Sequence, residues 1–198
     1  MILFGTALLL LPFARVADRP PISPVDALFT ATSACCVTGL IVRSTVHDFS
    51  AFGEGVILLL MQLGGLGIMT ITTLVAFQLG GQTSMRQRVL LAEALGIRGG
   101  SELRWVAGAV AIVVLSMETI GFVLLSVTTW GTAPAASVVW RSAFHSVSAF
   151  CNAGFALSDE SFMPQAGNLP VNLVLCSLVI VGGLGFPVIF DIFSRLKA

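Results

Sequence analysis

Two stretches of this chain carry no charged side chain: residues 55–85 and residues 161–190. A helix needs about 20 largely apolar residues to cross the hydrocarbon of a bilayer, and each stretch exceeds that. A third run, 105–130, is interrupted only by Glu118. Of the 198 residues, 56% are hydrophobic and 10% charged, against about 25% charged in a soluble domain. Such a chain lacks the polar surface to stay dissolved. The fold class it predicts is an all-α membrane protein with the lipid bilayer as its first partner. Ten basic residues balance ten acidic ones, so nothing points to a nucleic-acid partner. High hydrophobicity at zero net charge also excludes disorder. Cys35, Cys36, Cys151 and Cys176 lie in apolar stretches without CxxC spacing, which argues against a disulfide framework or a thiolate zinc site.

Residues 1–14 are apolar but end at Arg15, short for a span. They lack the basic leader of a signal peptide, and the better reading is a transmembrane helix without its N-terminal half. Arg86, Arg88, Arg98 and Arg104, like Arg195 and Lys197 near the C-terminus, belong on the cytoplasmic side by the positive-inside rule. Ser84 opens a capping box. Met85, Val89, Ala92 and Leu95 form a stripe at helical spacing, which predicts a short amphipathic helix at the inner interface.

On the other side lie two moderately apolar stretches, PISPVDALFTATSACCVTGLIV and AASVVWRSAFHSVSAFCNAGFALS. Neither can cross and return as two full helices. If each goes half-way in and comes back, both arginine-bearing segments fall on one side. The stretches align at an offset of 115: Phe29 with Phe144, Ser33 with Ser148, Ala34 with Ala149, Cys36 with Cys151, Gly39 with Gly154. Further on, Gly64-Gly65-Leu66-Gly67 aligns with Gly182-Gly183-Leu184-Gly185. The chain therefore reads as tandem helix–pore helix–helix repeats with re-entrant filter loops: residues 1–80, a cytoplasmic amphipathic linker 81–100, and residues 101–198. The copies keep one orientation, unlike the inverted repeats of many transporters, as suits a pore on the membrane normal.

In the first loop Ser23 can cap a helix, Pro24 suits its first position and Asp26 follows. A helix over 24–36 would be about 20 Å long. Its carbonyl end would point into the bilayer with partial negative charge. Non-helical backbone at that depth is tolerated only where it lines a cavity or is buried in protein. Gly39 permits angles that aim successive carbonyls one way, which makes a cage for a dehydrated monovalent cation, as in potassium-channel filters. The second loop repeats the device, with Ser137 as cap, a helix to about Cys151, and Asn152-Ala153-Gly154-Phe155 returning. Neither filter stretch holds a carboxylate, so carbonyls rather than an acidic ring are expected to meet the ion.

TATSACCVTGL followed by MQLGGLGIMT, and FHSVSAFCNAGF followed by VGGLGFPV, resemble the Trk/Ktr/HKT superfamily of K+ transporters, nearest the Ktr- and Trk-type membrane subunits. The resemblance covers nearly the whole chain. It implies four repeats around one pore, of which this chain matches the first two and lacks the third and fourth. It makes Gly39 and Gly154 the filter glycines, with Val37, Thr38, Leu40, Asn152, Ala153 and Phe155 beside them in the filter. Glycine at these sites goes with K+, and serine in the first loop with Na+ preference. K+ is then the transported ion, bound through filter backbone only, with no cofactor and with Na+ as a candidate coupling or activating ion. The resemblance further implies a multi-pass protein of the bacterial plasma membrane, a homodimer of the full-length subunit, and a cytosolic nucleotide-binding regulatory partner. The chain reads as a fragment holding half a pore.

Other residues have plainer readings. Gly64, Gly65, Gly182 and Gly183 read chiefly as close-packing faces between helices and secondarily as a bend near the pore. Two roles fit Glu118, an acid at mid-membrane: accepting hydrogen bonds behind a pore loop, or standing protonated and inert. Met61 and Gln62 read as lining or packing residues. His47 and His145 lack ligand spacing and read as surface and packing residues. Arg43, Asp48, Glu54, Asp159 and Glu160 read as solvated vestibule charges. An intramembrane enzyme is the weaker alternative, because the chain has no nucleophile elbow and no HExxH. A non-transporting scaffold leaves the repeated loop without purpose.

Overall fold

The computed structural model describes residues 1–79, 101–158 and 160–196, and among them it is helical without a sheet. In chain order the helices are α1 (Ile2–Leu9), α2 (Pro24–Cys35), α3 (Ala51–Leu79), α4 (Ser101–Thr128), α5 (Ala135–Phe150) and α6 (Leu169–Leu196). The amphipathic helix expected over 84–95 lies outside the described residues.

Each half thus has a short helix leading to a long apolar one: α2 stands between the still shorter α1 and the long α3, and α5 between the long α4 and α6. α2 starts as expected: the Ser23 hydroxyl accepts from the Asp26 N–H at 3.0 Å and Pro24 occupies the first turn. α5 does not. Its N-cap is Pro134, without a side-chain cap, and Ser137 lies inside the first turn. Proline's fixed φ presets the helix entry without needing a serine hydroxyl, so the helix begins earlier than Ser137 predicts.

α3 and α4 contain the stretches long and apolar enough to cross a membrane, Ala51–Ile71 and Ala107–Thr128. In α6 the apolar run Leu169–Gly185 is shorter and ends at a break, where Gly185 has φ 74° and ψ 160°. The equivalent Gly67 sits inside unbroken α3. Large side chains such as Leu3, Ile112, Val127 and Leu173 stand exposed, a surface suited to lipid. Helix hydroxyls at Thr70, Thr73, Ser116 and Thr119 donate to carbonyls four residues back, which satisfies them without water.

The largest apolar cluster joins both halves. Ala31 and Ala34 of α2 and Ile57, Leu60 and Met61 of α3 pack with Phe144 of α5 and Phe155 beyond it. A second cluster holds Val110 and Val114 of α4 against Phe150 and Leu178. Gly5 brings α1 onto Leu60, where a Cβ would stand 2.6 Å from the leucine Cδ1.

Candidate functional site

Both short helices end in the same backbone motif. The Val37 N–H donates to the Ala34 carbonyl and the Thr38 N–H to the Ser33 carbonyl; likewise Asn152 donates to Ala149 and Ala153 to Ser148. These are Schellman pairs, which require a left-handed residue just past the cap. Val37 has φ 55° and Asn152 φ 59°. Asparagine tolerates that region, whereas a β-branched valine is an outlier there at a cost of about 1–3 kcal/mol. The motif occupies carbonyls that the sequence reading left unpaired at the helix ends.

The next left-handed residues are Gly39 (φ 72°) and Gly154 (φ 73°), and they face each other. A Cβ on Gly39 would stand 2.8 Å from the Ala153 carbonyl oxygen and 3.0 Å from the Gly154 Cα. A Cβ on Gly154 would stand 3.2 Å from the Gly39 Cα. Only backbone can make this approach, and it places the Ala153 carbonyl between the loops. Past it the first loop doubles back along α2, where the Arg43 Nε donates to Asp26 Oδ2 at 2.9 Å. This hydrogen bond holds the Asp26 carboxyl below its usual value of 3.8. A cavity of about 260 Å³ opens between the loops, lined by Ile41, Arg43, Ser44, Gly154, Ala156 and Ser158.

The glycine pairs seat the carbonyl ends of the short helices. A Cβ on Gly64 would collide with the Cys35 carbonyl, and one on Gly182 with the Phe150 carbonyl. These positions match between the halves. A Cβ on Gly65 would stand 2.6 Å from Cys151 Sγ, so α3 also bears on the end of α5. Gly183 has looser surroundings, with Asn152 Nδ2 3.9 Å from its Cβ direction.

Glu118 lies behind α5. Its carboxylate accepts from Gln62 Nε2 at 3.0 Å and contacts Cys151 Sγ at 3.7 Å, while its backbone carbonyl accepts from Ser146 Oγ at 2.6 Å. Met61 is buried in the core and Gln62 serves Glu118.

One of the residues read as a solvated vestibule charge differs from that reading. Glu54 is not a solvated charge: it is buried and accepts from Trp140 Nε1 at 2.5 Å, pinning the first turn of α3 to α5. Arg43 is paired with Asp26, and Asp48 accepts from the Ser44 N–H at 2.9 Å. Phe155 turns its carbonyl to Ser148 Oγ at 2.7 Å. Glu160 is exposed, and Asp159 lies outside the described residues. No sequence signal marked the Ser148 contact, since the matching Ser33 bonds to Thr38 instead, and none marked Trp140. Among the described residues no cluster of His, Cys, Asp and Glu is arranged to hold a metal.

A family model described as TrkH, cation transport protein, matches residues 7–198. The chain belongs to the TrkH cation transport family. This TrkH-family chain is 41% identical to Ktr system potassium uptake protein B of Bacillus subtilis, over 99% of its own length and 43% of that protein. It is 40% identical to the protein of the same name from Vibrio alginolyticus, over 100% of this chain and 43% of that one. With the potassium/sodium uptake protein NtpJ of Enterococcus hirae it shares 39% identity, over 98% and 43%. The chain thus spans less than half the length of these curated relatives. It is an all-α membrane protein of this family.

Proposed function

We propose that this chain forms part of a K+ uptake pathway, with the ion held by backbone carbonyls of the two loops. The observation that carries the reading is the meeting of Gly39 and Gly154, each left-handed and each just past a short helix end. The nearest atoms across that meeting point are backbone, the Ala153 carbonyl oxygen among them. The helix ends behind it contribute partial negative charge, which suits a monovalent cation. Val37, Thr38, Gly39 and Leu40 with Asn152, Ala153, Gly154 and Phe155 are the filter stretches, less the Phe155 carbonyl, which is committed to α5.

On this reading α2 and α5 are pore helices and their loops re-entrant. Residues 1–80 and 101–198 are two repeats joined by the cytoplasmic linker 81–100, and two further repeats close the pore. The names of the relatives support K+ as cargo; NtpJ, named for potassium and sodium, supports Na+ as a second ion. A multi-pass location in a bacterial plasma membrane, a homodimer of the full-length subunit and a cytosolic nucleotide-binding regulatory partner complete the proposal. No catalytic role is assigned. His145 and Ser146, the residues nearest to an enzyme-like pair, are both engaged in holding the fold.

The test is Gly39→Ser in the full-length protein. A Cβ there meets the backbone of the other loop, and the left-handed angle adds roughly 1–2 kcal/mol of strain. A loss of about 1.4 kcal/mol in K+ binding relative to Na+ is a tenfold change in ratio. Rubidium and sodium uptake into cells lacking their own K+ uptake should show the preference falling by about that factor. An unchanged ratio at normal expression removes Gly39 from the ion site.

A further inference from the structure

The two loops occupy matching positions but are anchored differently. On α5, His145 and Ser148 lie one helical turn apart and share a face. Ser148 Oγ donates to the Phe155 carbonyl at 2.7 Å, and the Leu157 N–H donates to His145 Nε2 at 3.0 Å, both in buried surroundings. A backbone N–H can only donate, so Nε2 carries the lone pair and the ring proton sits on Nδ1. Phe162 and Phe144 meet the imidazole edge-on at 4.7 Å and 6.1 Å between centroids. The side chains of Phe155 and Leu157 anchor in the main apolar cluster.

The first loop lacks these two buried contacts next to its glycine, and its tie to α2 is the outer, partly exposed Arg43–Asp26 pair. Thr30 and Ser33 stand where His145 and Ser148 stand in the second half. Ser33 Oγ accepts from Thr38 Oγ1 at 3.0 Å instead of gripping the chain beyond the glycine. Leu40, the counterpart of Phe155, is 61% exposed where Phe155 is 2% exposed. The first loop also enters through the strained Val37, and the second through the tolerant Asn152.

We propose that His145 and Ser148 are positioning residues that hold the second loop as the fixed wall of the ion site and withdraw the Phe155 carbonyl from it, leaving the first loop to adjust to the ion. This rests on the carbonyl-site reading above. The fixed wall sets the exposed backbone of Asn152 and Gly154, on either side of the buried Ala153, against Gly39, and the discrimination between K+ and Na+ depends on that backbone staying in place. A preorganised wall opposes collapse around the smaller ion, because shortening its bonds to Na+ would break the two buried hydrogen bonds.

Two measurements test it. The first needs no variant: hydrogen exchange of the full-length protein in K+-free detergent solution, corrected for intrinsic rates. Amides of residues 153–157 should exchange at least about tenfold more slowly than those of 38–42, the factor for roughly one buried hydrogen bond and its desolvation. Equal protection overturns the fixed wall. The second compares sodium and rubidium uptake. Ser148→Ala and His145→Leu should raise the sodium-to-rubidium ratio about fivefold, the factor for roughly one neutral hydrogen bond. His145→Gln, whose amide oxygen can accept from Leu157, should keep the wild-type ratio. A purely structural role lowers melting temperature and expression while leaving the ratio untouched, and that result overturns the proposal. Gly39→Ser separates the two levels. If it shifts the ratio while Ser148→Ala and His145→Leu do not, the positioning claim alone falls. If it too leaves the ratio unchanged, the carbonyl site falls with it.

Discussion

Alanine at Gly64 and alanine at Gly67 should have opposite consequences although both sites lie in α3 and three residues apart. Replacing a helix-interior glycine by alanine gains about 1 kcal/mol in helix propensity. At Gly67 no atom of the described residues, the helix's own nearby backbone apart, comes within 4 Å of the added methyl, so the gain should appear in full. At Gly64 the methyl meets the Cys35 carbonyl, with its carbon at 2.8 Å and the Cys35 Cα at 3.1 Å. These are backbone atoms at the end of α2, and no rotamer change can clear them. Overpacking of this kind costs about 1–3 kcal/mol, which cancels or reverses the propensity gain. The two variants should therefore differ by about that amount, or roughly 2–12 °C in Tm for a protein of this size. Thermal unfolding in detergent measures it. Displacing Cys35 also displaces Gly39, so rubidium uptake should fall for Gly64→Ala and not for Gly67→Ala. If Gly64→Ala stabilises as much as Gly67→Ala, the helix end is not seated on Gly64 and the packing argument is wrong.

Glu118→Gln should lower Tm, because an amide N–H2 must then face either Gln62 or Cys151, leaving a buried polar group unpaired at about 1–3 kcal/mol. Exchanging the pair, Gln62→Glu with Glu118→Gln, should recover most of the loss; an unchanged Tm in the single variant means that the carboxyl is protonated and inert. The Asp26–Arg43 pair sets a pH dependence. The folded-state pKa of Asp26 is depressed, so the stability it confers is present above 3.8 and is lost as pH falls through the lowered value. The Tm gap between wild type and Arg43→Gln should accordingly shrink on acidification below 3.8; a gap that widens refutes the pairing.

Ser23, Pro24 and Asp26 declared the start of α2 because capping is local chemistry. The start of α5 was not legible from Ser137, since Pro134 supplies the entry angle without a hydroxyl. The glycine pairs were legible as packing faces, but not what they pack against: seating on Cys35 and Phe150 is a tertiary fact. Glu54 misled for the same reason, because its charge suggested water and its Trp140 partner lies 86 residues away. The GGLG motifs match in sequence yet only Gly185 breaks its helix. The difference lies two residues on, where Pro187 stands in place of Met69 and cannot donate a helical hydrogen bond. The paired loops were legible as a pattern; the commitment of the Phe155 carbonyl to Ser148 was not, since Ser33 occupies the matching position and bonds elsewhere.

The meeting of Gly39 with Gly154 also sets an order of events during biosynthesis. The two glycines are 115 residues apart in the chain. At a ribosomal rate of about 5–20 residues per second, Gly154 is made roughly 6–23 s after Gly39. Throughout that interval the first loop has no opposing wall, and its valine must hold a left-handed angle that nothing yet enforces. The nascent α2 can form at once from its own capping residues, but the turn beyond it has to wait. Until the second half is inserted, the emerging protein carries an unfinished, polar backbone segment that needs shelter from lipid, from the insertion machinery or from water at the mouth.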